Sequence, residues 1–354
     1  MNKLVGFPEM GNYYVPAKFL FTHILNVKVM DRIRITKSTI ELGSKYSPDF
    51  VCTPFKYTLG TMIELLEKGA DTVVQFGGGC RYGYYSELQE QILKDLGYEF
   101  KYINLISEGH TDIKKIYKEL KSLDNKFNIY IGLYYLLITI KMVKYMDKVD
   151  NYIRHNIGFE EKSGELEKLN EQMLKEFSKT KSLFDLRKKY KKYFKKIKKV
   201  KTTKNKNCMR VGIIGELYTV MEPFANYYLE KELAKCNIEI TRYTNVDYLL
   251  FKKGKHSKKY LKYAEKYVKY KMGADAMDNI ARTLEMCNKK YDGIIHIKSS
   301  FCTPEIGAMP IIGRICDEYD TPVIFFCFDS NTSEVGIKTR LEAFYDMIEM
   351  RRKK

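Results

Sequence analysis

The chain has 354 residues, 45% of them hydrophobic and 30% charged, with a formal net charge of +18. That length suits two domains better than one, and the composition is that of a folded globular protein rather than a disordered or fibrous one. The excess charge invites a nucleic-acid or membrane partner, but much of it sits in one run between Arg187 and Lys206. Such a run reads first as a solvated helix face leading into a linker, so nucleic acid is the lesser reading.

The opening residues, MNKLVGFPEMGNYYV, contain neither an apolar h-region nor a cleavage site, so a signal peptide is not expected. KLVGFP reads as a strand that breaks at Gly6 and Pro8, and Pro16 opens a helix, PAKFLFTHILN. Cys52, Thr53 and Pro54 precede a second helix, YTLGTMIELLEKG, stopped by Gly69. DTVVQF is a short apolar strand followed by Gly77, Gly78, Gly79, Cys80 and Arg81, and YYSELQEQILKDLG is a helix with its stop at Gly97. Strands alternating with helices imply βαβ units and a parallel sheet.

From Asp112 to Val200 the pattern is almost wholly helical and rich in lysine. Its most apolar stretch, Phe127 to Ile140, is uncharged for 14 residues and then meets Lys141 and Lys144. That is short for a membrane span, so the expectation is a buried helix, no membrane partner and a cytoplasmic protein. KTTKNKN reads as a linker. The α/β pattern then restarts with the strand MRVGIIG, the helix EPFANYYLEKELAKC, the strands IEITRYT and YDGIIHIKSS, the helix PEIGAMPIIGRICDEY, the strand TPVIFFCFD and a terminal helix. The predicted organisation is an N-terminal α/β domain over 1–111, a helical linking segment over 112–206 and a C-terminal α/β domain over 207–354.

Eight cysteines without a secretory signal argue against disulfides and raise metal or redox roles for any unusual cysteine. Five read as structural: Cys327 in a buried strand, Cys287 and Cys316 in helical patterns, Cys208 and Cys236 at element edges. The other three differ. Cys302 follows an apolar strand and precedes Pro304, which suits a first helical turn because proline's missing N–H is not needed there. A thiolate is favoured at that position by the unsatisfied N–H groups and the helix dipole. Cys52 repeats the Cys-Thr-Pro sequence, and Cys80 follows a strand and the three glycines. All three therefore belong at the carboxyl end of a parallel sheet, where ligands bind. Three such thiolates suit an iron–sulfur cluster better than zinc, since there is no CxxC pair and no histidine at zinc spacing. Three unrelated turn cysteines would show the same pattern. Gly77, Gly78 and Gly79 would let backbone N–H groups approach a cofactor, and Arg81 reads either as a partner of a cluster or a CoA phosphate or as a solvated turn arginine.

The stretches FPEMGNYYVPAKFLF, SPDFVCTPFKYTLGTMIE, GADTVVQFGGGCRYGYYSELQEQILKDLGY, VGIIGELYTVMEPFAN, FCTPEIGAM and TRLEAFYDMI resemble the 2-hydroxyacyl-CoA dehydratase component family. The resemblance is nearest to its stand-alone branch of CoA-protein activases, or acyl-CoA dehydratase activase-related proteins. The helical middle matches only in general character. The resemblance implies two flavodoxin-like parallel-sheet domains joined by a helical segment, and a [4Fe–4S] cluster held by Cys52, Cys80 and Cys302, with the fourth iron open. It also implies an activator ATPase with its own iron–sulfur cluster as electron donor. The substrate class is an acyl-CoA or other thioester, whose 2-hydroxyl leaves from a ketyl radical, and a homo- or heterodimer is compatible with it. Relatives carry a further Cys or Pro in the glycine stretch, where this chain reads GGGCRYGYY. No P-loop lysine motif is present, so the chain reads as an electron acceptor rather than the ATPase. It would then be a lyase or an ATP-coupled reductase component. A non-catalytic electron relay and a cluster-free basic binding protein are the alternatives. Of the other polar groups, Glu216 reads as a helix cap, Glu305 as a first-turn acid favoured by the dipole, Ser333 as a cap, and His296 as a packed strand residue.

Overall fold

The computed structural model describes residues 3–76, 85–105, 112–253, 258, 261–262, 264–270 and 272–353. Its described residues form two compact units, Met1–Met142 and Val143–Lys354. Each contains one four-stranded, all-parallel sheet.

In the first unit the strands are β1 (Leu4–Gly6), β2 (Lys28–Val29), β3 (Thr72–Gln75) and β4 (Lys101–Asn104), in the order β2-β1-β3-β4. Successive residues of a strand face opposite ways, and both faces here are apolar. Val73 packs with α3 (Thr53–Glu67) and α4 (Tyr85–Asp95), while Val5, Val74 and Ile103 pack with α1 (Tyr14–Ile24) and α5 (Ile113–Leu123). The near-continuous apolar strands are the sequence form of a sheet covered on both sides. Between β2 and α3 lies α2 (Lys37–Tyr46), which crosses α3 backbone to backbone. A Cβ on Gly43 would lie 1.8 Å from the Lys56 carbonyl oxygen, and one on Gly60 would lie 2.0 Å from that of Thr39. Only glycine fits at either position.

In the second unit β5 (Met209–Gly215), β6 (Ile238–Arg242), β7 (Gly293–Ser299) and β8 (Val323–Phe328) repeat the same order, β6-β5-β7-β8. This order, 2-1-3-4, is that of the first four strands of a flavodoxin-like sheet. One face packs on α9 (Leu217–Met221), α10 (Leu229–Lys235) and α13 (Glu334–Arg352), the other on α11 (Ala276–Asn288) and α12 (Thr303–Glu318). The helical middle comprises α6 (Ile129–Arg154), α7 (Glu165–Phe177) and α8 (Leu183–Ile197). The carboxyl-terminal end of α6 is fixed to α10 and β6 by a buried group of charges. Glu230 accepts from Arg154 at 3.0 Å and pairs with Arg242 at 2.8 Å. These two guanidinium groups hold the Glu230 carboxyl below its usual range, against the opposing effect of burial.

Three sequence expectations are corrected. The helix expected over 222–236 is broken, because Tyr227 and Tyr228 both take positive φ, at 53° and 55°, and α10 begins only at Leu229. The strand carrying Cys327 is present, but it lies at the sheet edge, and Cys327 is exposed rather than buried. The apolar stretch 127–140 enters a helix as expected, but the first half of α6 is not buried. Tyr130, Leu133 and Leu137 are 79%, 53% and 58% exposed. Among the described residues α6 is long and apolar enough to cross a membrane by length and composition. At the outer edge of β8, Arg340 donates from Nη2 to the Phe325 carbonyl at 2.7 Å.

Candidate functional site

In parallel sheets the loops at the carboxyl ends of the strands face the ligand side. In the second unit that edge is built around Cys302. The chain leaves β7 at Ser299, turns through Ser300 and Phe301, and starts α12 with Cys302 as its N-cap and Pro304 in the first turn. The turn is closed by Cys302 N–H donating to Ser299 O at 3.1 Å, and the helix begins with Ile306 N–H donating to Cys302 O at 2.9 Å. The thiol is half-buried and does not cap its own helix. The strand-to-helix turn expected there is present.

Behind the turn lies a buried polar network. Asn279 on α11 donates from Nδ2 to both Glu305 oxygens, at 2.9 and 3.0 Å, and to Gly215 O at 3.1 Å, while Gly215 N–H donates to Asn279 Oδ1 at 3.2 Å. His296 Nε2 lies 2.7 Å from Glu305 Oε2. His296 and Glu305 are both fully buried, and His296 Nδ1 has no partner among the described residues. Glu305 stands in the first turn of α12, as expected, and its buried carboxylate also joins β7 and α11 to that turn. His296 is packed, as expected. Gly215 holds φ 144°, and a Cβ there would meet Ile297 O at 1.8 Å, so the β5 turn closes tightly on β7. The next residue, Glu216, caps α9 by accepting from Tyr218 N and Thr219 N at 2.8 and 3.0 Å. Burial pushes its carboxyl up to about 6, against the lowering effect of those hydrogen bonds.

Lys298 was not singled out in the sequence. It is the one charged residue of β7, only 4% exposed, on the same strand face as His296. Its ammonium makes only long contacts to Ser299 O and Ser300 O, at 3.4 and 3.3 Å, and among the described residues no carboxylate lies within 4 Å. A buried ammonium without a counter-ion is costly. The signal that could have found it is a lysine inside the otherwise apolar run GIIHIKSS. The edge is completed by Asp329, which accepts from Ser300 Oγ at 3.2 Å and from Asn331 N–H at 2.8 Å. Ser333 caps α13, as expected.

In the first unit Cys52 is the N-cap of α3, again with proline in the first turn and the thiol half-buried. Here the expectation was incomplete: Cys52 does not follow a strand but the helix α2. It still reaches the carboxyl edge, because α3 runs back against β3. Gln89 donates to Phe55 O at 3.2 Å and Thr58 Oγ1 at 2.7 Å, and accepts from Gln75, the last residue of β3, at 3.4 Å. An exposed aromatic stands beside each of the two cysteines: Phe50 is 82% exposed and Phe301 40%. Gly77, Gly78, Gly79, Cys80 and Arg81 lie outside the described residues. Among the described residues no group of three His, Cys, Asp or Glu side chains is arranged to hold a metal.

The fold and this edge define a class: a paired α/β protein with ligand-side cysteines at helix starts. The profile of the 2-hydroxyglutaryl-CoA dehydratase D-component family matches residues 114–348, and the chain belongs to that family. The match includes Cys302 and the helices α6, α7 and α8, so the helical middle belongs to the family as well as the second sheet. No curated protein matches the chain.

Proposed function

We propose that the chain is a cytoplasmic iron–sulfur component of the 2-hydroxyacyl-CoA dehydratase type. It accepts a low-potential electron from a partner ATPase and acts on an acyl-CoA-like thioester. The observation that carries this reading is the place of Cys302: within the family match, at a strand-to-helix turn on the ligand edge, with the buried Lys298 ammonium on the same strand. Cys52, Cys80 and Cys302 would hold a [4Fe–4S] cluster, which supplies one-electron chemistry and an open iron position when bound. Support comes from Cys52 and Cys302, both N-caps of helices where thiolates are favoured, and from Lys298, whose positive charge an anionic centre calls for. Gly77, Gly78, Gly79 and Arg81 would line the same centre. The domain boundaries near 111 and 206 belong to this reading.

Iron and acid-labile sulfide in protein purified without oxygen test it, beside Cys52→Ser, Cys80→Ser and Cys302→Ser. About four of each per chain, as one four-iron cluster requires, lost or made labile in each variant, is the expected result. Iron-free, stable protein after reconstitution, with all three variants unchanged, removes the cluster. ATP-dependent reduction without turnover of any CoA ester would make the chain a relay instead.

A further inference from the structure

The lysine-rich run that begins at Arg187 reads in the sequence as a solvated helix face, and it does stand in solvent on α8. Its pattern sets it apart from an ordinary solvated face. At about 100° per residue, Arg187, Lys188, Lys191, Lys192, Lys195 and Lys196 fall within one half of the helix circumference, and all six are exposed. The other half packs inward through Leu186, Tyr193 and Ile197. Asp185 is the one acidic residue of α8, and it pairs with Lys189 at 2.9 Å. Among the described residues no carboxylate forms an ion pair with any of the six. Like charges four residues apart, as in Arg187, Lys191 and Lys195, oppose helix formation, whereas pairs of opposite sign would support it. The stripe is therefore a local cost to α8, with no partner in the chain that offsets it.

We infer that this stripe binds the phosphate backbone of duplex DNA without reading its bases. The charges are complementary: a duplex carries one negative charge per ~1.7 Å of its axis, and α8 lays its cations along about 22 Å of helix. A helix with its side chains is ~10–12 Å across, which suits a major groove ~12 Å wide. The residues supply charge rather than base readout. Five of the six cations are lysines, compact point charges, and α8 contains neither asparagine nor glutamine. A single strand fits less well, because it calls for free aromatic faces on which bases stack. Here Tyr190 is stacked on Tyr145 at 3.9 Å and on Phe194 at 5.3 Å. An acidic protein is also the poorer fit: lysine is depleted from protein interfaces, whose centres are apolar. The exposed apolar residues of α8, Leu183 and Phe184, lie at its first turn and not in the middle of the stripe. An anionic bilayer needs the apolar side of a helix as well as the basic one, and that side of α8 is buried. The inference does not rest on the proposed cluster, since α8 holds no cysteine.

Fluorescence anisotropy of short labelled DNA duplexes titrated with the full chain is the test. The expected result is binding of equal affinity to duplexes of unrelated sequence. It should weaken at least a hundredfold between ~50 and ~200 mM salt, the loss that about four phosphate contacts give. The triple variant Lys188→Gln, Lys191→Gln, Lys195→Gln keeps good helix formers and should leave circular dichroism unchanged. It should weaken binding at ~50 mM salt at least tenfold and make the salt dependence less steep. The control removes the same three charges from exposed lysines on other segments of the second unit, as Lys262→Gln, Lys269→Gln, Lys290→Gln. It should change the affinity less than about threefold, since charges off the contact release no counterions there. Absence of binding at ~50 mM salt, where such contacts are strong, overturns the inference. Equal losses in the two triple variants overturn it too, because net charge alone would then be acting. So does tighter binding to the single strands than to the duplex, or capture by phosphatidylserine vesicles that the α8 variant abolishes while duplex binding stays intact.

Discussion

At the scale of single residues, Lys298 is buried and Glu216 half-buried, each in surroundings that penalise its charged form. Lys298 lacks a counter-ion among the described residues, so in metal-free protein its charge is a net cost. Lys298→Met should leave the metal-free chain as stable or more stable, by about 1 kcal/mol or more, in denaturant titration. In cluster-loaded protein the same variant should make the midpoint potential more negative, because a cation that favours the reduced state has been removed. A melting temperature that falls sharply in metal-free protein would show Lys298 to be a packing residue only. For Glu216 the sign follows from a carboxyl raised from 4.5 to about 6 in the fold. The folded state then holds the proton more tightly, so stability is greatest below about pH 4.5 and declines as pH rises through 6. Thr219 stabilises the charged form and Asp275 opposes it. At about 1.4 kcal/mol per pH unit the loss is on the order of 2 kcal/mol. Glu216→Gln keeps a cap acceptor and should flatten that decline, as read from unfolding free energies between pH 4 and 7.

Among elements, α2 and α3 set where Cys52 sits. Their crossing depends on Gly43 and Gly60, whose missing side chains let the two backbones touch. Gly60→Ala should cost about 1–3 kcal/mol, the range of overpacking, and a gain in stability by chemical denaturation would disprove the contact. Much of the element layer was legible. Pro54 and Pro304 marked the first turns of α3 and α12, Gly69 and Gly97 marked helix ends, and the apolar runs at 72–75 and 293–299 marked the central strands. What was not legible depended on distance in the chain. The two-residue β2 exists only because it pairs with β1. The triangle of Asn279, His296 and Glu305 joins three elements that no local pattern connects. The broken helix after Pro223 turned on the backbone of Tyr227 and Tyr228, to which side-chain periodicity is blind.

For the whole molecule, the repeated strand order says more than the repeated Cys-Thr-Pro. By local sequence Cys302 pairs with Cys52. By topology it pairs with the segment after β3, since β3 and β7 are each the third strand and each hydrogen-bonds the first. The family match, which reaches back to residue 114, takes in the helical middle along with the second sheet.

Parallel sheets must end somewhere, and an open strand edge is a template on which other chains can add. Here one border of the first sheet is a strand of two residues, Lys28 and Val29. On the outer border of the second, Arg340 occupies the Phe325 carbonyl. In a chain this rich in tyrosine, isoleucine and phenylalanine, one border of each sheet is thereby blunted against cross-β addition, by a foreshortened strand on one and a guanidinium plug on the other.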